Sequence, residues 1–379
     1  MPSGKSKPVE LWEREPHTGA KHELLRCYMG AWYAIMNTTR HNRLVYYDAF
    51  GGPGRYKDGE DGSPLIALKA LVEHSAFNRM DGTEFVLLFN EQDAGCAEHL
   101  QTLVDDYVAA HQPWPKNVSV HVDNKTFVTL TTEMIDELDA AGGRLAPTFA
   151  FVDPVGVKYT PLDVVQRLTK SPKCELLIYF AHDAVLRWCG AGNIDDRLTA
   201  LFGNDDYKGA SSLSGAARSQ YLHDLYKQRL HDECGFPYIQ SFAMYEDRGK
   251  RVYDLFYCTR EPLGLDRMKQ AMWRVAPSGS FTFEDRLAGQ DVLFGNDVDT
   301  QPLQDHLCQH FAGQAVPIQT VIDHVVVATP FHSSHVKTKT LVPLQKAGRI
   351  SSPNQRKPST YPDGTVVQFP EPAATAEET

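Results

Sequence analysis

The stretch Tyr47-Asp48-Ala49-Phe50-Gly51-Gly52-Pro53-Gly54 places an acid and an aromatic residue ahead of three glycines within four positions. Glycine lets the backbone turn tightly and lets a ligand approach it closely. The spacing is not the G-x-G-x-x-G that cradles a pyrophosphate. A β-turn with structural glycines is the plain alternative. Phe89-Asn90-Glu91 ends an apolar run in an acid. A carboxylate there can take both hydroxyls of a ribose through charge-assisted hydrogen bonds. Asp123 closes a third such run, where it could face an adenine amino group, and Asp is equally a common helix N-cap. Phe151-Val152-Asp153-Pro154-Val155-Gly156 again ends a run in an acid, here followed by proline. Gly62-Ser63-Pro64 reads as a helix start, with Ser63 as N-cap and Pro64 at the first position. Its hydroxyl could also point into a ligand crevice.

The elements between these stretches must bring them together. A helix is expected over 18–38, opened by Thr18, with Leu24, Leu25, Tyr28, Trp32, Ile35 and Met36 at helical spacing. Strands are expected at 44–47, 84–89, 118–122, 148–152 and 175–180. Helices over 64–72, 96–110, 127–140 and 161–168 separate them. Alternation of this kind makes right-handed βαβ units and a parallel sheet covered on both faces. The unbroken apolar character of the runs agrees with burial on both sides. A mostly helical segment over 182–232 follows, and then a hairpin of 238–245 and 251–258. Every stretch named above then falls at the carboxyl edge of the sheet, where such folds bind ligands.

Composition narrows the class. With 42% hydrophobic and 23% charged residues in 379, the chain has the make-up of a folded protein of two or three domains. No apolar run approaches the ~20 residues of a membrane span, and the first residues carry no signal-peptide pattern, so a cytoplasmic protein is expected. The seven cysteines contain no C-x-x-C pair, and the fifteen histidines no H-E-x-x-H, so no metal centre is expected. Net charge is −10, yet Phe331–Phe369 holds six basic residues against one acid. Those six are Lys337, Lys339, Lys346, Arg349, Arg356 and Lys357. Helices over 303–311, 318–326 and 332–347, then short strands at 349–350 and 365–369, form the order of a winged helix-turn-helix. Pro343 inside the third helix predicts a kink or an early stop. The expected division is an α/β domain over 1–284, a linker over 285–302, the winged helix over 303–369 and a disordered tail over 370–379. The basic residues fall on the third helix and the loop after it, where phosphates lie in helix-turn-helix docking.

Five βα units closed by a hairpin are the order of a class I methyltransferase sheet. The loop at Gly51, Gly52 and Gly54 suits the methionine and ribose part of S-adenosylmethionine. Asp48, Phe50, Ser63, Glu91 and Asp123 complete the expected cofactor set. Amino-group methyltransferases carry [DN]-P-P-[FYW] after the fourth strand, where acid and carbonyl hold the acceptor amine. Asp153 and Pro154 match this pattern and are the expected catalytic pair; Val155 and Gly156 depart from it, and Tyr159 could supply the aromatic ring.

The combination Lys21-His22, Tyr28, Trp32, Asp48–Gly54, Tyr56, Gly62–Leu68 and Phe151–Gly156, with His324–Phe331, His335 and Tyr361-Pro362, resembles the three-Cys-motif partner protein (TcmP) family over residues 17–369. The loop at Asp48, the Gly-Ser-Pro turn and the Asp-Pro strand end are more distantly similar to bacterial rRNA adenine-N6 methyltransferases. The resemblance implies a class I S-adenosylmethionine-dependent methyltransferase fold. It also implies a protein partner whose three cysteines hold an iron–sulfur cluster, resembling radical-SAM proteins. This chain lacks such a triplet, as the partner half should. Three functions compete: methyl transfer to an amino group of a DNA or RNA base; a methyltransferase-like scaffold that binds nucleic acid and recruits that partner; and methyl transfer to a protein or small molecule.

Overall fold

The structure is a computed structural model of the chain, described for residues 9–39, 41–154, 160–189, 194–285 and 298–371. The path opens with α1 (Pro16–Thr38), β1 (Arg43–Asp48), α2 (Ser63–Val72), β2 (Glu84–Asn90), α3 (Ala94–Ala110), β3 (Val118–Asp123) and α4 (Phe127–Ala140). It continues through β4 (Thr148–Val152), α5 (Leu162–Leu168), β5 (Cys174–Phe180), α6 (His182–Trp188), α7 (Asp195–Phe202) and α8 (Gly215–Asp232). β6 (Tyr238–Tyr245), β7 (Arg251–Thr259), α9 (Pro262–Val275) and β8 (Thr282–Glu284) follow. The chain ends in α10 (Gln301–His310), β9 (Ala315–Pro317), α11 (Ile318–Ala328), α12 (Val342–Lys346) and β10 (Val366–Gln368).

Two compact units result. One comprises residues 1–261 with 281–288, the other 262–280 with 289–379. The division differs from the expected boundary at 284, because α9 belongs to the second unit. The expected linker over 285–302 and tail over 370–379 lie largely outside the described residues.

The first unit is a mixed α/β fold around one eight-stranded sheet in the order β3-β2-β1-β4-β5-β7-β6-β8. β1 to β5 run parallel, and β7 is antiparallel to both β5 and β6. This is the expected five-unit sheet closed by a hairpin, with β8 added in parallel beside β6. β4 is buried at every position, which explains its unbroken apolar run. Helix α1 begins earlier than expected. Pro16 sits in its first turn, where a missing N–H costs nothing, and Glu15 rather than Thr18 is the cap residue. Its inner face is locked by the buried Tyr28 hydroxyl, which donates to Glu175 of β5 at 2.6 Å. Lys21 lies seven positions earlier, two turns along the same face.

In the second unit β9 pairs antiparallel with β10, and Ser351 bridges to Gln368. The expected third helix is composite. A 3₁₀ turn at Ser333–His335 leads to a π turn at Lys337–Leu341 and then to α12. Pro343 has no N–H to continue an α-helical ladder. The turn before it widens instead, with Leu341 N donating to Val336 O at 2.9 Å. Lys269 of α9 donates to the carbonyls of Val326 and Thr329, each at 2.5 Å, and so caps α11.

Candidate active site

A cavity of about 260 Å³ opens at the carboxyl edge of the sheet in the first unit. The loop after β1 supplies one wall through Phe50, Gly51, Gly54 and Tyr56, and the start of α2 adds Ser63. Asp153 and Pro154, after β4, stand on another side, with Tyr179 of β5 and Tyr253 of β7. α1 closes it with His17, Lys21 and His22, and Trp12 lies at its edge.

The loop's shape follows from local hydrogen bonds. Asp48, fully buried at the end of β1, accepts from Phe50 N at 3.2 Å and Tyr46 Oη at 3.3 Å. Ser63 also donates its hydroxyl to Asp48. Burial outweighs these bonds and raises the Asp48 carboxyl to about 7. Ser63 is free for this role because Gly62, not Ser63, is the cap residue of α2. Gly51 N donates to Asn90 O at 2.7 Å, so the loop is hung from the end of β2. A Cβ at Gly51 would stand 3.0 Å from Leu100, and one at Gly54 2.6 Å from the same side chain. These two glycines are therefore demanded by packing on α3. Gly52, at φ +61, faces Trp12 instead.

The centre of the cavity is an ion pair. Lys21 Nζ donates to Asp153 Oδ2 at 2.5 Å and stands 5.6 Å from the centre of the Tyr253 ring. Tyr179 and Tyr253 lie with centroids 4.6 Å apart, and His22 approaches Tyr56 at 5.5 Å. Burial, followed by the Lys21 charge, lowers the His22 imidazole to about 3, so it is neutral at ordinary pH. His17 is held by Asp285 at 2.8 Å. The cavity thus offers the carboxylates of Asp153 and Glu13, the cations of Lys21 and Arg55, the imidazoles of His17 and His22, and three phenol rings.

The expected residues divide into two groups. Phe50, Gly51, Gly54, Ser63, Asp153 and Pro154 line this cavity; Asp48 lies behind its loop. Gly52, Glu91 and Asp123 are outside its wall. Glu91 is only 3% exposed, and its carboxylate accepts from Gly52 N at 3.0 Å and Asp93 N at 2.7 Å. Asp123 is half-buried and its carbonyl accepts from Glu91 N. Val155, Gly156 and Tyr159 lie outside the described residues. Sequence reasoning gave no role to Trp12, His17, Tyr179 or Tyr253. Each comes from a different element, and no spacing links them.

In the second unit Lys339, Lys346, Arg356 and Lys357 are exposed. Lys337 lies 4.0 Å from Asp363, and Arg349 donates to Asp305 at 2.9 Å. The loop after α12 is pinned to the helical segment by Tyr361, whose hydroxyl donates to Leu341 O at 3.2 Å and to Gln345 Oε1 at 2.9 Å.

Among the described residues no group of three or more His, Cys, Asp or Glu could hold a metal ion, and no helix is long and apolar enough to cross a membrane. No family model and no curated protein matches the sequence. Among solved structures the chain is similar to Trm1 from Pyrococcus horikoshii in complex with S-adenosyl-L-methionine, at 14% identity and a TM-score of 0.38. That alignment covers 70% of this chain and 61% of Trm1, less than two thirds of its length. A human methyltransferase 10 domain containing protein aligns at 12% identity over 62% of this chain and 82% of its own, with a TM-score of 0.31. The N-terminal domain of human METTL16, solved with SAH, aligns at 12% identity over 61% of this chain and 68% of its own, with a TM-score of 0.28. At these TM-scores the likenesses are too slight to assign a function.

Proposed function

We propose that the chain is a class I methyltransferase that uses S-adenosylmethionine to methylate an amino group of a nucleic-acid base. The observation that carries this reading is the single cavity joining the Gly51–Gly54 loop to Asp153 and Pro154. The cofactor supplies a methyl group already activated on a sulfonium. The protein's task is then alignment, with donor and acceptor held at about 3–3.5 Å. Phe50, Gly51, Gly54 and Ser63 would hold the methionine end, with Asp48 fixing their loop. Glu91 and Asp123 would serve the ribose and adenine. Asp153 accepts a hydrogen bond from the acceptor amine and orients its lone pair. Lys21 holds the Asp153 carboxylate in place through their hydrogen-bonded ion pair. Tyr56, Tyr179 and Tyr253 offer apolar faces on which a planar base can stack.

In the second unit the order α10, β9, α11, α12, β10, with the bridge at Ser351, supports reading it as a winged helix. Lys337, Lys339, Lys346, Arg356 and Lys357 would meet phosphates. Membership of the TcmP family, and a three-cysteine partner, rest on the motif resemblance alone. A scaffold with no catalysis is the second reading, favoured by an Asp153 carboxylate already engaged by Lys21.

Two measurements test the proposal. Calorimetric titration with S-adenosylmethionine should show binding to the wild type and to Asp153→Ala alike. Transfer of labelled methyl to DNA or RNA should occur with the wild type and vanish in Asp153→Ala. Binding without transfer to either polymer would leave the scaffold reading. Lack of binding would overturn the methyltransferase reading.

A further inference from the structure

Residues 9–15, just ahead of α1, form no helix or strand, yet they run across the place where a nucleoside would lie. Trp12 Cζ3 stands 3.0 Å, and Cη2 3.2 Å, from where a Cβ at Gly52 would be. Val9 Cγ2 stands 3.4 Å from the same point at Gly95. Gly52 follows β1, and Gly95 opens α3, which follows β2. The segment therefore spans the carboxyl ends of β1 and β2. Beneath that span Glu91 is sealed, its carboxylate turned to the backbone N–H groups of Gly52 and Asp93. The cavity stops at Trp12 and Glu13 and does not reach Glu91 or Asp123. Its volume, about 260 Å³, falls short of the roughly 300–1,000 Å³ of sites that enclose a drug-sized ligand.

We propose that Val9–Glu15 is a displaceable roof over the nucleoside subsite, latched by the Trp12 indole, and that an adenosine-bearing ligand enters only when this roof lifts. The inference rests on the methyltransferase reading and adds a gate to it. The latch is built to release. One backbone hydrogen bond, Lys57 N to Trp12 O at 2.9 Å, holds the segment at its middle. Arg14–Asp58 at 2.9 Å and Lys57–Glu13 at 3.5 Å are partly to largely exposed ion pairs. Such pairs contribute little and weaken with salt. Gly52 has its own part in the device. A side chain there would take the indole's place, and its φ of +61 disfavours one as well.

The test uses the full chain and S-adenosylhomocysteine, with association and dissociation rates from surface plasmon resonance and affinities from calorimetry. A ligand that binds only the open form has its apparent affinity reduced by the open fraction. Trp12→Ala should raise the association rate by about tenfold or more if the closed form dominates at about ten to one. Raising salt should speed association to the wild type and leave Trp12→Ala unaffected. Ligand should also shift the tryptophan emission of the wild type, and Trp12→Phe should abolish that shift. Trp12 is half-buried on a segment without secondary structure, so both variants should keep the wild-type melting temperature. Equal association rates for wild type and Trp12→Ala would overturn the gate, as would a variant that only dissociates faster. The methyltransferase reading would survive either result. If the ligand bound neither protein, that reading would fall and take the gate with it.

Discussion

Lys21 and Asp153 face each other across the cavity, ammonium to carboxylate at 2.5 Å, with 9% and 14% of their side chains exposed. One comes from a helix ahead of the sheet and the other from the end of its fourth strand. Their meeting is set by the Tyr28–Glu175 bond that fixes α1 against β5. Removing either partner of so enclosed a pair leaves a charge without compensation, which costs about 3–5 kcal/mol. Lys21→Met should therefore lower stability more than Lys21→Met combined with Asp153→Asn, in denaturant melts. Both should lack methyl transfer. A single variant as stable as the wild type would show that the pair is not coupled.

Glu91 is expected to be the ribose ligand as well as the anchor of the glycine loop. Glu91→Ala should weaken binding of S-adenosylhomocysteine by about 1.5–3 kcal/mol, the scale of a hydrogen bond to a charged group. Glu91→Gln keeps an acceptor for one of the two N–H groups and should lose less. Calorimetry that found the alanine variant unchanged would reduce Glu91 to a purely structural residue.

Asp48 carries a pH signature. Its carboxyl is raised by burial to about 7 from an ordinary value of 3.8. Between these values the folded protein holds a proton that the unfolded chain releases, so this group's contribution to stability falls as pH rises from about 4 to about 7. Asp48→Asn should abolish that falling limb. Melts of the two proteins at pH 5 and pH 8 check it: the variant should gain relative to the wild type at pH 8.

The second unit should respond to acid in the opposite sense. Burial lowers His332 to about 4 and His335 to about 3, and their ring centroids stand 3.7 Å apart. Unfolding lets both take protons at the ordinary value of 6.5. Their contribution is therefore complete above that value and is lost as pH falls from it toward 3–4. Hydrogen exchange in α11 and α12 of the full chain should accelerate over that range. His335→Phe should blunt the acceleration.

Salt dependence tests the basic surface. Arg349 is turned to Asp305, which leaves five of the six basic residues. If about four of these meet phosphates, the slope of log affinity against log salt should lie near −3 to −4. Lys339→Ala and Arg356→Ala should each flatten it by about one unit, and Arg349→Ala should not. A flat response in the wild type would assign the surface to a protein partner.

The sheet was legible because its signal is local and repeated. Each strand is an apolar run closed by an acid or a turn, and each helix keeps its period. The hairpin of β6 and β7 was legible for the same reason. β8 and β9, at three residues each, leave too little pattern to detect, whereas the equally short β10 lies within the longer run 365–369. α9 was missed although Leu265, Met268 and Met272 stand at helical spacing; what its sequence does not reveal is that Lys269 caps a helix some sixty residues later. At the site, the end of β4 and the glycine loop were readable from residue type. The partner of Asp153 was not readable as such, since an ion pair spanning 132 positions depends on tertiary structure alone. Ser63 and Thr18 misled in the same way. Both are good cap residues, but the prolines at 64 and 16 each set the helix start one or two residues earlier.

The chain leaves the first unit at residue 261, returns at 281 and leaves again after 288. Synthesis therefore delivers the pieces out of order. The sheet's last strand, β8, emerges from the ribosome only after α9, and Lys269 of α9 emerges some sixty residues before the α11 end that it caps. Leu265, Met268 and Met272, all buried in the finished protein, must wait in between with no partner from their own unit. The second unit is consequently not a cassette that can be clipped from the C-terminus. A stop codon near residue 300 would leave α9 with its apolar side bare and Lys269 without the carbonyls it caps. A clean excision would instead splice residue 261 to 281.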